Sequence, residues 1–289
     1  IWIKRTLAAM GYAEFYGYSF VSENDLTRYD LDPSEAMAIH NPLSSDLTHM
    51  RTSLMPSVLK DIEFNQGQRS DGRVFELQRA YLPQDGDLPS ERTNLVIAHF
   101  GVQDIELTFQ KLKGILEYVA KNSDLKIEFI REMENVRWHP TRSASVKLNG
   151  QHVGMIGQVA QEYQEAFGID RAVIAADLDI EDAIAQMNIK RVYKSIPEFP
   201  AVHRDIAVVV DEKTEYLQVS DAIKKQSPLI ESIELVEVYR GTGIDDGKKS
   251  VTISITLRAL DKTLSSDQVD EVMNVVGKVL QDGFDGILR

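Results

Sequence analysis

The chain has no cysteine among its 289 residues. That excludes disulfides, thiolate nucleophiles and cysteine-ligated zinc, and it suits a reducing, cytoplasmic setting. No apolar run approaches the ~18 residues of a membrane span, and nothing has the layout of a signal peptide. Positive charge is in short supply: 32 lysines and arginines face 45 aspartates and glutamates, for a formal net charge of −13. The overall field therefore repels nucleic acid, and any RNA contact has to depend on a few locally placed cations. The six histidines show neither HxxxH nor HxH spacing, which leaves no metal-site pattern. An initiator methionine is also missing. IWIKRTLAAMGY starts inside an amphipathic pattern, which implies a longer polypeptide.

What is present suits a globular α+β protein with two cores: 43% of the residues are hydrophobic and 27% charged. Ile3, Leu7 and Met10 stand at helical spacing before Gly11, and EFYGYSF (14–20) reads as one strand. Ser22 is placed to cap a short helix over 23–28, and AMAI (36–39) reads as a second short strand. Leu54, Val58, Leu59 and Ile62 share a helical face, with Pro56 tolerated in the first turn. GRVFELQRAYL (72–82) has the pattern of a half-buried strand, and NLVIAHFG (94–101) that of a central one. A helix is expected over 107–122, where Gly114 suggests close helix packing rather than a phosphate loop. A hairpin follows over 143–159, turning at Asn149-Gly150, then a helix at 160–167, a strand at 172–180 and a helix at 181–187. NIKRVYKSIPEFP (188–200) breaks the pattern and reads as a linker, which divides the chain into domains at 1–190 and 195–289.

The second domain reads strand, helix, two strands around IDDG, a helix capped by Ser265 and Gln268, and a short closing strand in GILR. That order is βαββαβ, the ferredoxin-like arrangement. Val251, Ile253, Ile255 and Leu257 alternate with Thr252, Ser254 and Thr256, which predicts one covered sheet face and one open, hydroxyl-bearing face.

NPLSSDLTHMRTSLMPSVL, RVFELQRAYL, LTFQKLKGILEYV and WHPTRSASVKLNGQHVGMIGQV, taken in order, resemble the catalytic-like module of the beta subunit of bacterial-type phenylalanyl-tRNA synthetase. FPAVHRDIAVVVDE and VYRGTGIDDGKKSVTISITLRALDKTLSSDQVDEV resemble that subunit's ferredoxin-fold anticodon-binding domain. The chain departs from the family pattern at Thr141, where a glycine is expected, and in the short connection after NLVIAHFG. The resemblance implies a class II synthetase-like antiparallel or mixed sheet core followed by a tRNA-binding domain. It also implies a heterotetramer of two alpha and two beta subunits that joins phenylalanine to tRNA(Phe) using ATP and Mg²⁺, with the chemistry on alpha. No cofactor is expected in the portion at hand.

The residues themselves bear on catalysis. A class II core needs arginines aimed at the ATP phosphates. The segment that resembles the γ-phosphate site reads RAVIAADLDIEDAI, with Asp177, Asp179, Glu181 and Asp182 and no arginine after the strand. Four carboxylates there would repel a triphosphate, so no catalytic residue is assigned. Arg51 is either a structural arginine bonded to backbone carbonyls or Asp46, or a contact to a partner subunit. Thr48, Thr52 and Ser53 are expected to cap the helix near Leu54. Arg79 and Arg142 are assigned to structure or to a subunit interface. In the last domain, Tyr239, Arg240, Lys248, Lys249 and Arg258 are the tRNA-binding candidates, as locally placed cations around one hairpin with an aromatic for stacking. A self-sufficient ligase and an interaction scaffold that does not bind RNA are the alternatives.

Overall fold

The structure is a computed structural model that describes residues 1–86, 88–131, 135–189, 193 and 195–289. It separates into two compact units, Ile1–Arg191 and Val192–Arg289.

The first unit opens with α1 (Trp2–Ala9), which buries Ile3 and Leu7 one turn apart, and β1 (Ala13–Glu14). β2 (Phe20–Val21) and β3 (His49–Met50) form a small separate ribbon, and between them lies α2 (Glu23–Arg28), closed by a reciprocal Ser22/Asp25 capping box. The expected single strand at 14–20 is therefore two strands belonging to two sheets. Gly17 passes close over Glu76 between them; a Cβ there would stand 3.4 Å from Glu76 Oε1. AMAI is also not a strand: Ala38 makes one isolated bridge to His49.

α3 (Met55–Gln66) is followed by β4 (Gly72–Leu82), β5 (Ser90–Val102), α4 (Ile105–Asn122), β6 (Ile127–Arg131), β7 (Trp138–Leu148), β8 (Gln151–Val159), α5 (Gln161–Ala166), β9 (Ala172–Asp179) and α6 (Glu181–Gln186). The strands make one seven-stranded sheet in the order β1-β4-β5-β9-β8-β7-β6. Within it β1 runs parallel to β4 and the other pairs are antiparallel. One core lies between α1, α4 and the face carrying Phe75, Leu95, Ile97, Ile156 and Ile174. The other lies between α3 and the face carrying Val74, Val96, Ala98, Val173 and Ala175. Because β5 and β9 are covered on both faces, their sequences are continuously apolar there. The β7–β8 turn holds Asn149 at φ 49° and Gly150 at φ 82°, as a type I′ turn requires.

The second unit holds β10 (Val202–Asp211), α7 (Tyr216–Lys224), β11 (Ile230–Tyr239), β12 (Lys248–Leu257), α8 (Ser266–Phe284) and β13 (Ile287–Leu288), with sheet order β11-β12-β10-β13 and every pairing antiparallel. This is the ferredoxin-like arrangement read from the sequence. Val251, Ile253, Ile255 and Leu257 are buried beneath α7 and α8, while Thr252, Ser254 and Thr256 stay half-exposed. The expected linker falls partly on residues 190–192 and 194, which lie outside the described residues.

Candidate functional site

The α3-covered face of the large sheet becomes polar toward the C-terminal end of β9. Strand register places Glu76, Val96 and Asp177 side by side there, and Gln78, Asn94 and Asp179 in the next row. The loop 41–54 closes over this end, and Arg51 holds it. Its side chain is 1% exposed, and its backbone bridges two segments: its N–H donates to the Ser19 carbonyl at 3.0 Å, and its carbonyl accepts from Tyr81 N–H at 2.9 Å. Its guanidinium donates to the carbonyls of Arg79 at 3.0 Å and Tyr18 at 3.2 Å, and to Glu76 Oε1 at 2.7 Å. Asp46 is not among these partners. Glu76 is fully buried and accepts a second bond from Gly17 N–H at 3.3 Å, while its Oε2 has no protein partner.

None of the three hydroxyls expected to cap α3 stands at its cap position, which is Leu54; Ser53, just before it, accepts from Met55 N–H at 3.1 Å. Thr48 instead turns its hydroxyl to the Val21 carbonyl and His49. Thr52 is half-buried beside Arg51. Burial pushes the Asp177 carboxyl up to about 6, against the lowering effects of Arg137 and of a hydrogen bond from Ser53.

Arg92, on the neighbouring strand β5, meets this acidic segment, and sequence reasoning passed it over. Its Nε donates to Asp179 at 2.8 Å and its Nη2 to Asp182 at 2.9 Å, while Glu181 accepts from Thr93 N–H at 2.8 Å. Both carboxylates hold the Arg92 guanidinium even more firmly protonated than usual. The acidic cluster is therefore partly neutralised from within, and its cation has no free fork left for phosphate. Arg79 pairs with Thr93 in register and so points to the opposite face of the sheet from Arg92, where it forms an ion pair with Glu91. Arg142 donates to Gln158 Oε1 at 3.0 Å. On the polar face Arg51 and Arg92 stand among Glu76, Asp177, Asp179 and Asp182, with Arg137 acting on Asp177, so the local balance is negative. Among the described residues no group of histidines and carboxylates is arranged to hold a metal ion.

In the second unit the candidate cations engage the protein itself. Arg240 forks onto Glu212, with Nη2 at 2.8 Å and Nε at 3.0 Å from Oε1, and holds the Glu212 carboxyl below its usual range. Lys249 Nζ donates to the Glu212 carbonyl at 2.8 Å. Arg258 donates to Glu231 at 2.9 Å and to the Phe199 carbonyl at 2.7 Å. Lys248 is half-buried at the start of β12. Tyr239 is 39% exposed, but its hydroxyl turns back to the Thr242 carbonyl at 3.4 Å and its ring end lies over Gly241. The open sheet face carries Asp205 and Glu234 on either side of Ser254. Arg240, Lys248 and Lys249 thus stand at the hairpin end of the domain, while Arg258 stands at the opposite end of β12. Arg289, missed in the sequence, reaches the same loop, its guanidinium lying 3.5 Å from where a Gly243 Cβ would stand.

The largely antiparallel seven-stranded sheet with helices on both faces is the class II synthetase-like fold expected from the sequence. The crystal structure of pyrrolysyl-tRNA synthetase from Desulfitobacterium hafniense shares this fold, at a TM-score of 0.52 and 14% identity over 63% of this chain and 65% of that one. Residues 2–180 match the phenylalanyl tRNA synthetase beta chain CLM domain, and residues 197–289 match the ferredoxin-fold anticodon binding domain. The chain belongs to the phenylalanyl-tRNA synthetase beta chain family. It is 31% identical to the phenylalanine–tRNA ligase beta subunit of Clostridium acetobutylicum over 98% of its own length and 36% of that protein. It is 32% identical to the one from Syntrophotalea carbinolica over 96% of its length and 37% of that protein. The chain thus spans a little over a third of the length of these relatives.

Proposed function

We propose that this chain is the non-catalytic core and tRNA-binding end of a phenylalanine–tRNA ligase beta subunit. Its first unit assembles with alpha subunits, which carry the ATP- and Mg²⁺-dependent chemistry, in a cytoplasmic heterotetramer of two alpha and two beta chains. Its second unit contacts the anticodon region of tRNA(Phe). The observation that carries the reading is Arg92, locked between Asp179 and Asp182 on a face otherwise dominated by carboxylates. A family fold retained without a cation free for phosphate supports an assembly role. Among the described residues no helix is long and apolar enough to cross a membrane.

Two measurements test the parts separately. The chain is expected to co-purify with the alpha subunit; failure to associate would remove the role given to the first unit. Filter binding with tRNA(Phe) is expected to weaken steeply as salt rises. The rival, a scaffold without RNA binding, draws on the self-paired Arg240, Lys249 and Arg258, and an absence of salt-sensitive affinity would favour it.

A further inference from the structure

The described residues of the first unit hold a cleft that the reading above does not use. It lies between the end of α1, the start of β4, the end of β5 and the middle of α4, is an open hollow of about 690 Å³, and so falls within the size range of ligand pockets. Arg73, Lys111 and Arg171 line it, and Asp71 is the one carboxylate among its lining residues. Among the described residues none of these three cations forms an ion pair, whereas Arg28, Arg51, Arg79, Arg92, Arg240 and Arg258 all do. In a chain of net charge −13, three cations against one carboxylate around one hollow leave a local positive excess there.

The cleft is built, not merely bordered. Arg171 Nη1 donates to the Ser70 carbonyl at 3.1 Å, which fixes that cation at the rim. His99 is buried and hydrogen-bonds the Tyr12 hydroxyl. Burial, followed by Arg73 and Lys111, pulls the His99 imidazole down to about 4, so the floor is neutral and all the charge sits on the walls. Gly114 lines the same cleft from within α4. The sequence suggests a packing role for it, but a Cβ at Gly114 would meet nothing within 4 Å. Glycine is the least favourable residue in a helix interior after proline, and here neither packing nor backbone conformation calls for it. What its missing side chain does is keep the helix wall of the cleft clear.

We propose that this cleft binds a phosphate-bearing ligand, held by Arg73, Lys111 and Arg171 and admitted close to the α4 backbone at Gly114. Two arginines and a lysine approaching from different elements suit a multivalent, many-acceptor anion better than a single carboxylate. The aromatic residues of the lining, Tyr12 and Phe100, are buried, so recognition runs through the phosphate and not through stacking on a base. A free polyphosphate and an RNA backbone share this chemistry.

Calorimetry on the full chain, with inorganic pyrophosphate in one arm and a single-stranded RNA in the other, tests the proposal. Lys111→Glu is expected to weaken the binding partner by about tenfold or more, as loss of a charge-assisted contact does. Gly114→Leu is expected to abolish binding while the melting temperature stays level or rises, and Gly114→Ala to raise the melting temperature with smaller loss. Loss confined to the pyrophosphate arm identifies a free polyphosphate, and loss confined to RNA identifies a backbone phosphate. Wild type and variants carry the same last domain, so RNA affinity of that domain cancels in the comparison. Failure of both probes to bind, or binding that Lys111→Glu and Gly114→Leu leave unchanged, overturns the proposal.

Discussion

Arg51 cannot be removed without stranding Glu76. The pair is dry, at 1% and 0% side-chain exposure, and breaking such a pair by deleting one partner typically costs about 3–5 kcal/mol. Arg51→Met is expected to lower unfolding free energy by that order in urea titration, whereas Arg79→Met, which removes an exposed pair with Glu91, is expected to cost less than about 1 kcal/mol. Equal effects would contradict the anchoring role given to Arg51. Asp177 gives a pH signature at the same scale. Its carboxyl, raised to about 6 in the folded chain, binds a proton there that the unfolded chain, titrating near ~3.9, has already released. The native state thus holds the extra proton between about pH 4 and 6, and the Asp177 contribution makes stability fall as pH rises through that window. Asp177→Asn is therefore expected to be more stable than wild type at neutral pH by up to about 3 kcal/mol. The difference should shrink as pH falls below about 6 and vanish near 4; a gain that is independent of pH would refute the assignment.

Elements carry the next level of argument. α8 begins with Ser265 accepting from Gln268 N–H at 3.4 Å and Gln268 reaching back to Ser265 N–H at 3.2 Å. Ser265→Ala is expected to cost about 1 kcal/mol, measured as a shift in the denaturation midpoint at unchanged slope. This helix, α2 and the β7–β8 turn were legible in the sequence because a capping box, helical spacing and an Asn-Gly pair are all local signals. What the sequence hid was non-local. IEFIR, which forms β6, lies at the sheet edge, half-buried or exposed along its length, so it has no alternation to read. EFYGYSF has the composition of a strand but divides where Gly17 crosses Glu76. At the site, the acidic character of 177–182 was plain, whereas its neutralising cation was not. Arg92 meets Asp179 and Asp182 because β5 and β9 are paired in the register that sets Asn94 against Asp179, and no spacing along the chain expresses that.

For the molecule as a whole, the proposed function has a class II synthetase-like fold serving assembly and RNA contact, with the arginines of its polar face paired within the protein. Arg51 is committed to a buried carboxylate and two carbonyls, and Arg92 to two carboxylates, so both guanidinium groups are engaged within the protein. On the proposed function, the loop 240–247, with Arg240, Lys248, Lys249 and Arg289 near it and Asp205 and Glu234 on the open sheet face, is the expected side for an RNA backbone. The most direct test is phenylalanine-dependent pyrophosphate exchange, run with the chain alone and again after adding the alpha subunit. The expected result is no exchange above background for the chain alone, and exchange on adding alpha that survives Arg92→Ala. Exchange by the chain alone that Arg92→Ala abolishes would contradict the account.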